Sequence, residues 1–429
     1  PEIVKNLTTG NITTTSISLS WEKPDGNASV YFIQILGEPT FNRNVTTTSD
    51  TIEGLTPGNY YTFLVAAVVG DNVQGKIRNV SAYTYPDVIK NLTTGNINTA
   101  SISLSWGKPD GNVSSYFIQI LGEPTFSKNV TTTSDTIEGL TPGNYYTFLV
   151  YALVDNINGA ISKISKYTIP EVVKNLTAGN ITTTSISLSW EKPDGNASSY
   201  FIQILGEPTF NKTVTTTSAT IENLIPGNYY TFLVASVVDD NIQGEYRTVS
   251  AFAYPDVVKN PKTGNITTTS ISLSWENPDG NVSSYFIQIL GEPTFNTTVT
   301  TTSHTFDGLT PGNYYTFWVS ALVDTNNLQG EGVYTSANTG PAPVANMKAS
   351  KVDNRTIYVS WQHPEGNTSY YQIELLGDPP QNLTAATESV TIYNLTSGNQ
   401  YTVRVTAVTG GDLLGDSNDI AVLDKIDRR

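Results

Sequence analysis

The residues of this chain whose type and spacing suggest chemistry are asparagines in the pattern Asn-x-Ser/Thr, where x is any residue except proline. This pattern is the acceptor for N-linked glycans, which are attached to surface segments of secreted proteins. Asn260 is followed by proline and is not an acceptor. The predicted glycosylation sites are Asn6, Asn11, Asn27, Asn44, Asn79, Asn91, Asn112, Asn129, Asn175, Asn180, Asn196, Asn211, Asn265, Asn281, Asn296, Asn354, Asn367, Asn382 and Asn394.

Two groups of these sites recur at fixed places, which is more than a chain rich in Asn and Thr would give by chance. One group lies in a turn that contains proline and glycine, where an attached sugar would reach solvent. The other lies in Thr-rich segments that we expect to form edge strands, where a glycan would also block edge-to-edge pairing. The first group is Asn27, Asn112, Asn196, Asn281 and Asn367, and the second is Asn44, Asn129, Asn211 and Asn296. The pattern favours a glycoprotein of the secretory pathway over a cytosolic or bacterial protein with unused sequons.

Groups that could support catalysis or bind a metal are few and scattered. The chain has no cysteine, and its two histidines, His304 and His363, lie far apart in the sequence. A catalytic triad or a zinc site needs several groups to converge, and calcium needs six or more oxygen ligands. Single aspartates, which are typical of Asx-turns, recur in Pro-Asp-Gly turns at Asp25, Asp110, Asp194 and Asp279. We therefore expect a non-enzymatic chain without a catalytic residue, metal site or cofactor, in which both histidines are ordinary surface residues.

The net charge narrows the classes of partner. The formal charge is -15 and the pI is about 4.5. Phosphate backbones and anionic lipid surfaces would be repelled, so neither nucleic acid nor direct membrane contact is expected. The sequence contains no run of about 18 apolar residues of the kind that a membrane-spanning helix needs. It begins at Pro1 without a signal peptide, and we expect it to be a fragment of a longer protein.

An internal repeat positions these residues. Trp21, Trp106, Trp190, Trp275 and Trp361 fall 85, 84, 85 and 86 residues apart, and each closes a segment in which apolar and polar residues alternate. The motif Leu-Thr-Pro-Gly-Asn-Tyr-Tyr at 55–61 also recurs, and it predicts a turn that leads into a buried strand. No segment has the 3.6-residue period of an amphipathic helix. The sequence predicts an all-β protein of five tandem seven-stranded antiparallel β-sandwiches, with domains at 1–85, 86–169, 170–254, 255–340 and 341–429.

Local signals predict how each repeat is built and joined. In the first repeat the residues Gly37-Glu38-Pro39 are expected to end the third strand, and a short edge strand is expected at 44–48. The first three joints, such as Tyr85-Pro86, have almost no linker, and proline restricts the residue before it to extended geometry. The last joint, at 338–343, is longer. Short stiff joints predict an extended rod.

Three features together resemble the fibronectin type III module, five times over: the tryptophan that closes the second strand, the Tyr-x-Ile pattern of the third strand, and Leu-x-Pro-Gly-x-x-Tyr. In the fifth repeat Ser397 replaces the proline, which is expected to loosen that turn. The Asn-Leu-Thr openings, Pro-Asp-Gly turns and dense sequons are also similar to ectodomains of heavily glycosylated receptor-type tyrosine phosphatases. The module resemblance implies tyrosine-corner residues, whose hydroxyls bond to the backbone just upstream, at Tyr61, Tyr146, Tyr230, Tyr315 and Tyr401.

Outward-facing apolar residues form a candidate partner face. If Tyr31 and Ile33 face inward, Phe32 faces outward, and the same alternation turns Tyr60 and Leu64 outward. We expect this face to bind a homophilic or other protein partner. Cross-strand pairing that stabilises the sheet, or cover by a glycan or a neighbouring module, is the alternative. The face consists of Phe32, Tyr60, Leu64, Phe117, Tyr145, Leu149, Phe201, Tyr229, Leu233, Phe286, Tyr314 and Trp318, and its polar counterparts in the fifth repeat are Gln372, Gln400 and Arg404.

The expected function is that of a non-catalytic extracellular segment of a cell-surface receptor, which acts in adhesion or ligand binding and as a spacer. The resemblance implies a parent with a transmembrane helix and a cytoplasmic tyrosine phosphatase domain, so the segment would be the ectodomain of a single-pass membrane protein. The alternatives are a secreted extracellular-matrix adhesion protein and spacer modules of a secreted carbohydrate-active enzyme. The expected partners are a protein ligand or a second copy, together with N-linked glycans.

Overall fold

The chain folds into pairs of antiparallel β-sheets, one pair for each of five repeats. The computed structural model describes residues 1–70, 73–292, 294–323 and 328–423. Within these ranges the only helical element is a short 3-10 turn, Asp239–Asn241. The predicted all-β fold class is confirmed. The end of the predicted fifth domain, 424–429, lies outside the described residues, and the exact domain boundaries stay predictions.

The strands follow the same order in each repeat. The first repeat contains β1 (Lys5–Ile12), β2 (Ile17–Glu22), β3 (Val30–Ile35), β4 (Glu38–Val45), β5 (Ser49–Ile52), β6 (Tyr60–Val69), β7 (Val73–Gln74) and β8 (Arg78–Tyr83). The second contains β9 (Lys90–Ile97), β10 (Ser101–Gly107), β11 (Ser115–Ile120), β12 (Glu123–Val130), β13 (Ser134–Glu138), β14 (Tyr145–Val154), β15 (Ile157–Asn158) and β16 (Ser162–Tyr167). The third contains β17 (Lys174–Ile181), β18 (Ile186–Glu191), β19 (Ser199–Ile204), β20 (Glu207–Val214), β21 (Ser218–Ile221), β22 (Tyr229–Val238) and β23 (Ile242–Phe252). The fourth contains β24 (Lys259–Ile266), β25 (Ile271–Glu276), β26 (Ser284–Ile289), β27 (Asn296–Val299), β28 (Ser303–Phe306), β29 (Tyr314–Val323) and β30 (Leu328–Asn338). The fifth contains β31 (Ala345–Asp353), β32 (Thr356–Gln362), β33 (Tyr370–Leu376), β34 (Gln381–Ala385), β35 (Ser389–Ile392), β36 (Gln400–Val408) and β37 (Leu414–Leu423).

Each repeat has a smaller sheet of three strands and a larger sheet of four or five strands. In the first repeat the smaller sheet has the order β1-β2-β5. The larger sheet has the order β4-β3-β6, and both β7 and β8 pair with β6. The second repeat also carries its last strand in two pieces, whereas the last three repeats have an uninterrupted last strand and hence seven strands. The larger sheet carries the candidate partner face.

Alternating side chains build the core between the two sheets. In β2 the residues Ile17, Leu19 and Trp21 are buried, and the serines between them are not. The Trp21 ring meets the buried Tyr31 of β3 edge-on, with 5.3 Å between ring centroids. The equivalent Trp–Tyr pairs lie at 5.1 to 5.4 Å. These large buried rings dominate the stabilising contacts of the core.

The turn before β6 is fixed by the tyrosine-corner residue. The Tyr61 hydroxyl accepts a hydrogen bond from the Thr56 backbone N–H at 2.8 Å. Equivalent bonds of 2.8 to 2.9 Å occur in the other four repeats. The buried Thr84 holds the same turn, because its hydroxyl donates to the Thr56 carbonyl at 2.7 Å and accepts from the Asn59 N–H at 3.1 Å. The side chain of Tyr61 in β6 and that of Thr84, just after β8, therefore satisfy the backbone of this turn.

The edge strand of the larger sheet is longer and begins earlier than the sequence predicts. β4 already includes Glu38 and Pro39 and ends at Val45, so the expected strand at 44–48 was wrong. The third strand ends in a tight turn at Gly37, whose φ of 86° suits glycine. Pro39 is tolerated because one side of an edge strand needs no N–H for pairing.

Neighbouring repeats dock through two hydrogen bonds at the first joint. The Asn112 backbone N–H donates to the Pro57 carbonyl at 2.9 Å. The Asn112 side-chain amide donates to the side-chain oxygen of Asn59 at 2.8 Å. A Cβ at Gly111 would overlap the Pro57 carbonyl oxygen, so glycine is required for this close approach.

The other three joints use the same two bonds. The side-chain bonds measure 3.0, 2.8 and 2.6 Å and join Asn196 to Asn144, Asn281 to Asn228 and Asn367 to Asn313. The last joint was expected to differ because of its longer sequence, but its hydrogen bonds are equivalent. The Gly340 N–H donates to the Thr267 carbonyl at 2.9 Å, as the Tyr85 N–H donates to Thr13 at 3.1 Å in the first repeat.

Residue contacts divide the chain into two compact units. The first contains Pro1–Leu176, Trp190–Thr217 and Leu233–Thr248, and therefore holds the first two repeats with their separate cores. The second contains Thr177–Ser189, Ser218–Phe232 and the chain from Val249 onwards, and holds the cores of the last two repeats.

Candidate functional site

The candidate partner face lies on the outer side of the larger sheet. In β3 the side chains of Tyr31 and Ile33 are buried and Phe32 between them is partly exposed. In β6 Leu64 is partly exposed and Tyr60 is 54% exposed. The alternation therefore has the phase that the sequence indicates.

Strand register brings only some of these residues together. Phe32 lies directly opposite Ala66, and Leu64 lies opposite Gln34. Phe32 and Leu64 are therefore diagonal neighbours, within reach of each other for large side chains. They form one apolar segment at the middle of the sheet.

Tyr60 belongs to a second segment. Thr62 stands between Tyr60 and Leu64, and its hydroxyl forms a hydrogen bond with Ser81 at 2.8 Å. The Tyr60 ring packs against the Tyr83 ring, with 4.8 Å between centroids. Equivalent pairs join Tyr145 to Tyr167 at 4.8 Å and Tyr229 to Phe252 at 4.7 Å. Cross-strand aromatic pairing therefore accounts for part of the pattern.

The other repeats show the same arrangement with different rings. Phe117 packs against Tyr151 at 5.1 Å, and burial raises the pKa of the Tyr151 hydroxyl. Phe286 meets Trp318 edge-on at 6.0 Å. Leu149 is only 8% exposed and so offers little surface to a partner. Among the remaining predicted residues, the partly exposed ones are Phe201 and Leu233, and the more exposed ones are Tyr145, Tyr229 and Tyr314 at 52, 55 and 64%.

The fifth repeat presents a charged row at the same place. Arg404 pairs with Asp419 at 3.0 Å and with Glu374 at 3.8 Å. Gln372 is partly exposed and Gln400 is exposed. Arg404 is therefore paired with acidic residues of its own sheet.

This face also carries exposed leucines that the sequence reasoning missed. Leu36 is 62% exposed, and its backbone N–H donates to the Thr62 carbonyl at 2.9 Å, which aligns it beside the second segment. The signal was available, because Leu36 continues the outward alternation of Phe32 and Gln34 by one more step. Its equivalents are Leu121, Leu205, Leu290 and Leu376, at 58, 66, 45 and 41% exposure.

The asparagines of all the predicted glycosylation sites are exposed. At the opening of the repeats, however, asparagine has a backbone role. Asn6, Asn91 and Asn175 have φ near 50°, and so do Asn260 and Asn346, which are not in sequons. Asparagine tolerates this left-handed conformation better than most residues. The residue type at this position is therefore explained without a glycan.

The sequon asparagines of the turns also have a structural role. Asn112 and its equivalents donate the side-chain bonds that hold the joints. Asn27, in the first repeat, is exposed and lies in the same kind of turn. Solvent access at the turn is therefore as predicted, but the side-chain amide of Asn112 is shared with the preceding repeat.

The edge-strand sequons occupy two different positions. Asn44 lies opposite Phe32, and Asn129 lies opposite Phe117. Asn211 lies two positions away on its strand, opposite Gln203. Asn296 and Asn382 lie opposite Gln288 and Glu374, at positions equivalent to that of Asn211. All five side chains stand on the outer face, because positions two residues apart share a face.

The chain's sequence matches one family along almost its whole length. The family model described as "Fibronectin type III domain" matches residues 2–81, 87–168, 170–252, 256–336 and 341–421. The chain belongs to the fibronectin type III family. Each tyrosine-corner residue implied by the resemblance therefore lies within a segment that the family model matches.

Curated relatives carry the comparison further. The chain is 34% identical to "Receptor-type tyrosine-protein phosphatase H" of Homo sapiens, over 96% of this chain and 39% of the relative. It is 32% identical to "Receptor-type tyrosine-protein phosphatase eta" of Gallus gallus, over 95% of this chain and 30% of the relative. It is 24% identical to "Tenascin-N" of Mus musculus, over 86% of this chain and 24% of the relative. The chain is homologous to the ectodomain region of receptor-type tyrosine phosphatases, in agreement with the predicted extracellular location, and it spans well under half of their length.

The described fibronectin type III repeats contain no group of three or more His, Cys, Asp or Glu side chains that could hold a metal. Burial lowers the pKa of His304, whose ring lies against Phe306 with 4.8 Å between centroids, so His304 is not the ordinary surface residue expected. His363 Nδ1 lies 3.0 Å from the Tyr371 hydroxyl and 3.0 Å from the Glu388 carboxylate. Burial and the Glu388 charge raise the pKa of Tyr371 to about 12.

The recurring aspartates of the Pro-Asp-Gly turns form ion pairs. Asp25 lies 2.7 Å from the Lys5 ammonium of the first strand. Their carboxylates accept hydrogen bonds from lysine side chains, which the sequence analysis did not predict. The other pairs, at 2.6 to 2.7 Å, are Lys90 with Asp110, Lys174 with Asp194 and Lys259 with Asp279. Among the described residues, none forms a helix long and apolar enough to cross a bilayer.

Proposed function

We propose that this chain is a non-catalytic segment of a receptor-type tyrosine phosphatase, which binds a protein ligand outside the cell and spaces that binding face from the membrane. The observation that carries the proposal is the homology to the phosphatases H and eta over 96 and 95% of this chain. The transmembrane helix and the phosphatase domain belong to the proposed parent.

The proposed ligand-binding face is formed by the exposed leucines and tyrosines of the larger sheets. Leu36 and Tyr60 are 62 and 54% exposed on the same face. The pattern is repeated in four consecutive repeats, so the chain offers several copies of this face. Each copy of the chain has a formal charge of -15, which opposes the pairing of two copies. A neutral or basic protein ligand is therefore favoured over homophilic binding.

Attachment of cells to surfaces coated with the secreted chain tests this face. Serine in place of Leu36, Leu121, Leu205 and Leu290 should reduce attachment severalfold, while exposed positions such as these change stability by less than about 0.5 kcal/mol. The matched control replaces Ile266 and Tyr358, exposed residues of the smaller sheets, by serine. Equal attachment of the leucine variant and the control would contradict the proposed face.

We also propose that the chain carries N-linked glycans at its sequons. Support comes from the exposure of every sequon asparagine. Chain secreted from native cells should lose mass on enzymatic deglycosylation, and glycopeptide mass spectrometry should find occupied sites. A secreted chain whose mass does not change would refute the glycosylation.

An extracellular-matrix adhesion protein is the second candidate, favoured by the 24% identity to Tenascin-N. The parent sequence separates the two candidates. An apolar segment of about 20 residues followed by basic residues supports the receptor. Further repeats without such a segment support the matrix protein.

A further inference from the structure

We propose that the N-glycans of Asn44 and Asn129 lie on the rings of Phe32 and Phe117, so that these phenylalanines support glycans and are not part of the ligand-binding face. The inference rests on the glycosylation proposed above. It gives the two apolar segments of the outer face different roles: the central segment is covered by sugar, and the segment with the exposed leucines and tyrosines stays open.

Strand register carries the inference. Phe32 lies directly opposite Asn44, and Phe117 lies directly opposite Asn129. Residues directly opposite each other in an antiparallel pair have Cβ atoms about 4.5–5.5 Å apart and point to the same side of the sheet. Both asparagines are exposed and both phenylalanines are partly exposed. The first sugar on either asparagine therefore starts beside an accessible aromatic ring.

The chemistry of the two groups is complementary. One face of a hexose ring presents C–H groups, and the face of an aromatic ring carries the negative part of its quadrupole. Contact between them also removes apolar surface from water. At Phe117 the platform is larger, because its ring packs against Tyr151 at 5.1 Å. In the first repeat a second sequon, at Asn79, lies opposite Leu64.

The third repeat provides an internal control. Thr213 lies opposite Phe201, at the position that Asn44 holds in the first repeat. The sequon is displaced to Asn211, opposite Gln203. The Gln203 side-chain amide donates to the Asn211 side-chain oxygen at 3.0 Å. A glycan at Asn211 therefore starts beside an amide instead of a ring, and we expect no coupling between it and Phe201.

A double-mutant cycle on the full secreted chain tests the inference. Thr46→Ala removes the sequon and keeps Asn44, and Phe32→Ser removes the ring. Hydrogen exchange of the segments 31–35 and 42–45 measures local opening. Glycopeptide mass spectrometry measures the glycan occupancy of Asn44. In the otherwise unchanged chain, Thr46→Ala should raise the rate of hydrogen exchange about threefold to tenfold. In a chain that already carries Phe32→Ser, Thr46→Ala should have no further effect. Phe32→Leu, which keeps apolar bulk but loses the flat ring, should also remove most of the coupling.

The matched cycle uses Asn211→Gln and Phe201→Ser in the third repeat and leaves Thr213, which lies opposite Phe201, unchanged, so its effects should add independently. Additive effects at Phe32 with Asn44 occupied would overturn the inference and leave the glycosylation proposal intact. If Asn44 carries no glycan, both the inference and the glycosylation proposal are wrong at this site.

Discussion

Single asparagines serve three physical purposes in this chain, although most of them stand in the same sequence pattern. Asn6 supplies a left-handed backbone conformation, with φ of 51°. Asn112 donates a hydrogen bond across a joint. Asn44 has its side chain beside Phe32 on an exposed face. At Asn6 the backbone conformation explains the asparagine, and at Asn112 the hydrogen bond across the joint explains it. Neither explanation applies to the edge-strand sequons, which therefore give the clearest indication of a glycan.

Tyrosine-to-phenylalanine substitutions should show that the hydroxyl of the corner tyrosine contributes more to stability than that of the tyrosine before it. Tyr61→Phe removes the acceptor of the Thr56 N–H and should destabilise the first repeat by about 1 kcal/mol. Tyr401→Phe should cost about twice as much, because that hydroxyl also donates to the Asp378 carbonyl at 2.9 Å. Urea unfolding followed by pulsed hydrogen exchange of each repeat measures both.

The control for these two variants is Tyr60→Phe, at a residue that is 54% exposed. Its effect should stay below about 0.5 kcal/mol. A loss as large as that of Tyr61→Phe would show that the corner hydrogen bond is not the source of the effect.

His304 should make the fourth repeat sensitive to mild acid. Burial lowers its pKa below the ordinary 6.5, with Asp307 opposing the shift. Below pH 6.5 the unfolded chain therefore binds more protons than the folded chain, and stability falls as the pH drops towards the folded pKa. His304→Ala should remove this part of the pH dependence. Urea midpoints of the fourth repeat between pH 7.5 and 5 provide the measurement.

The third repeat is a natural control for His304, since Ala219 occupies the equivalent position opposite Leu188, as His304 lies opposite Leu273. It should lack this component of acid sensitivity. An unchanged pH profile in His304→Ala would refute the role of the histidine.

At the scale of elements, the turn Pro-Gly-Asn of one repeat and the turn Asp-Gly-Asn of the next form one docking unit. The Gly58 and Gly111 backbones approach each other's loops so closely that a Cβ on either would clash. This explains why both turns carry glycine at positive φ, 66° and 80°. The motif that marks the start of β6 therefore also builds the joint to the following repeat.

Gly111→Ala should open the first joint. The new methyl group would displace the Pro57 carbonyl, so the Asn112 amide proton should exchange at least about tenfold faster. Gly26→Ala is the matched control, because Gly26 has a similar positive φ but nothing lies within 4 Å of its Cβ position. Residue-resolved hydrogen exchange distinguishes them, and equal effects would mean that backbone strain alone is responsible.

At the scale of the whole molecule, the chain combines five similar sandwiches with a net charge of -15. Each larger sheet ends in an exposed edge strand, β4 or its equivalent. Similar edges within one chain invite wrong pairing between repeats or between molecules. The charge opposes association between molecules, and glycans on these strands would block the edges directly.

Removing the edge-strand glycans should therefore promote aggregation. Alanine at the third sequon residue should increase light scattering of the secreted chain on warming and reduce the monomer fraction in gel filtration. Serine at the same positions keeps the sequon and is the control. The positions are Thr46, Thr131, Thr213, Thr298 and Thr384. Equal aggregation of the alanine and serine variants would contradict a protective role of the glycans.

The sequence by itself determined the fold class, the number of repeats and which side of each strand faces the core. These properties depend on period-two alternation and on the 84–86-residue spacing, both of which are local or periodic in the chain. The tyrosine corner was accessible only through family resemblance, since no spacing rule places its hydroxyl on the Thr56 N–H.

Only the tertiary structure decided what lies across a strand or across a joint. The neighbour of Phe32 is Asn44 because the turn at Gly37 is tight and sets the register, and the neighbour of Asn59 is Asn112 because two repeats dock. Register depends on turn geometry, and a small change in a turn alters every cross-strand pair. For that reason the sequence indicated an outer apolar face but could not divide it into a segment beside sequons and an open segment with the exposed leucines.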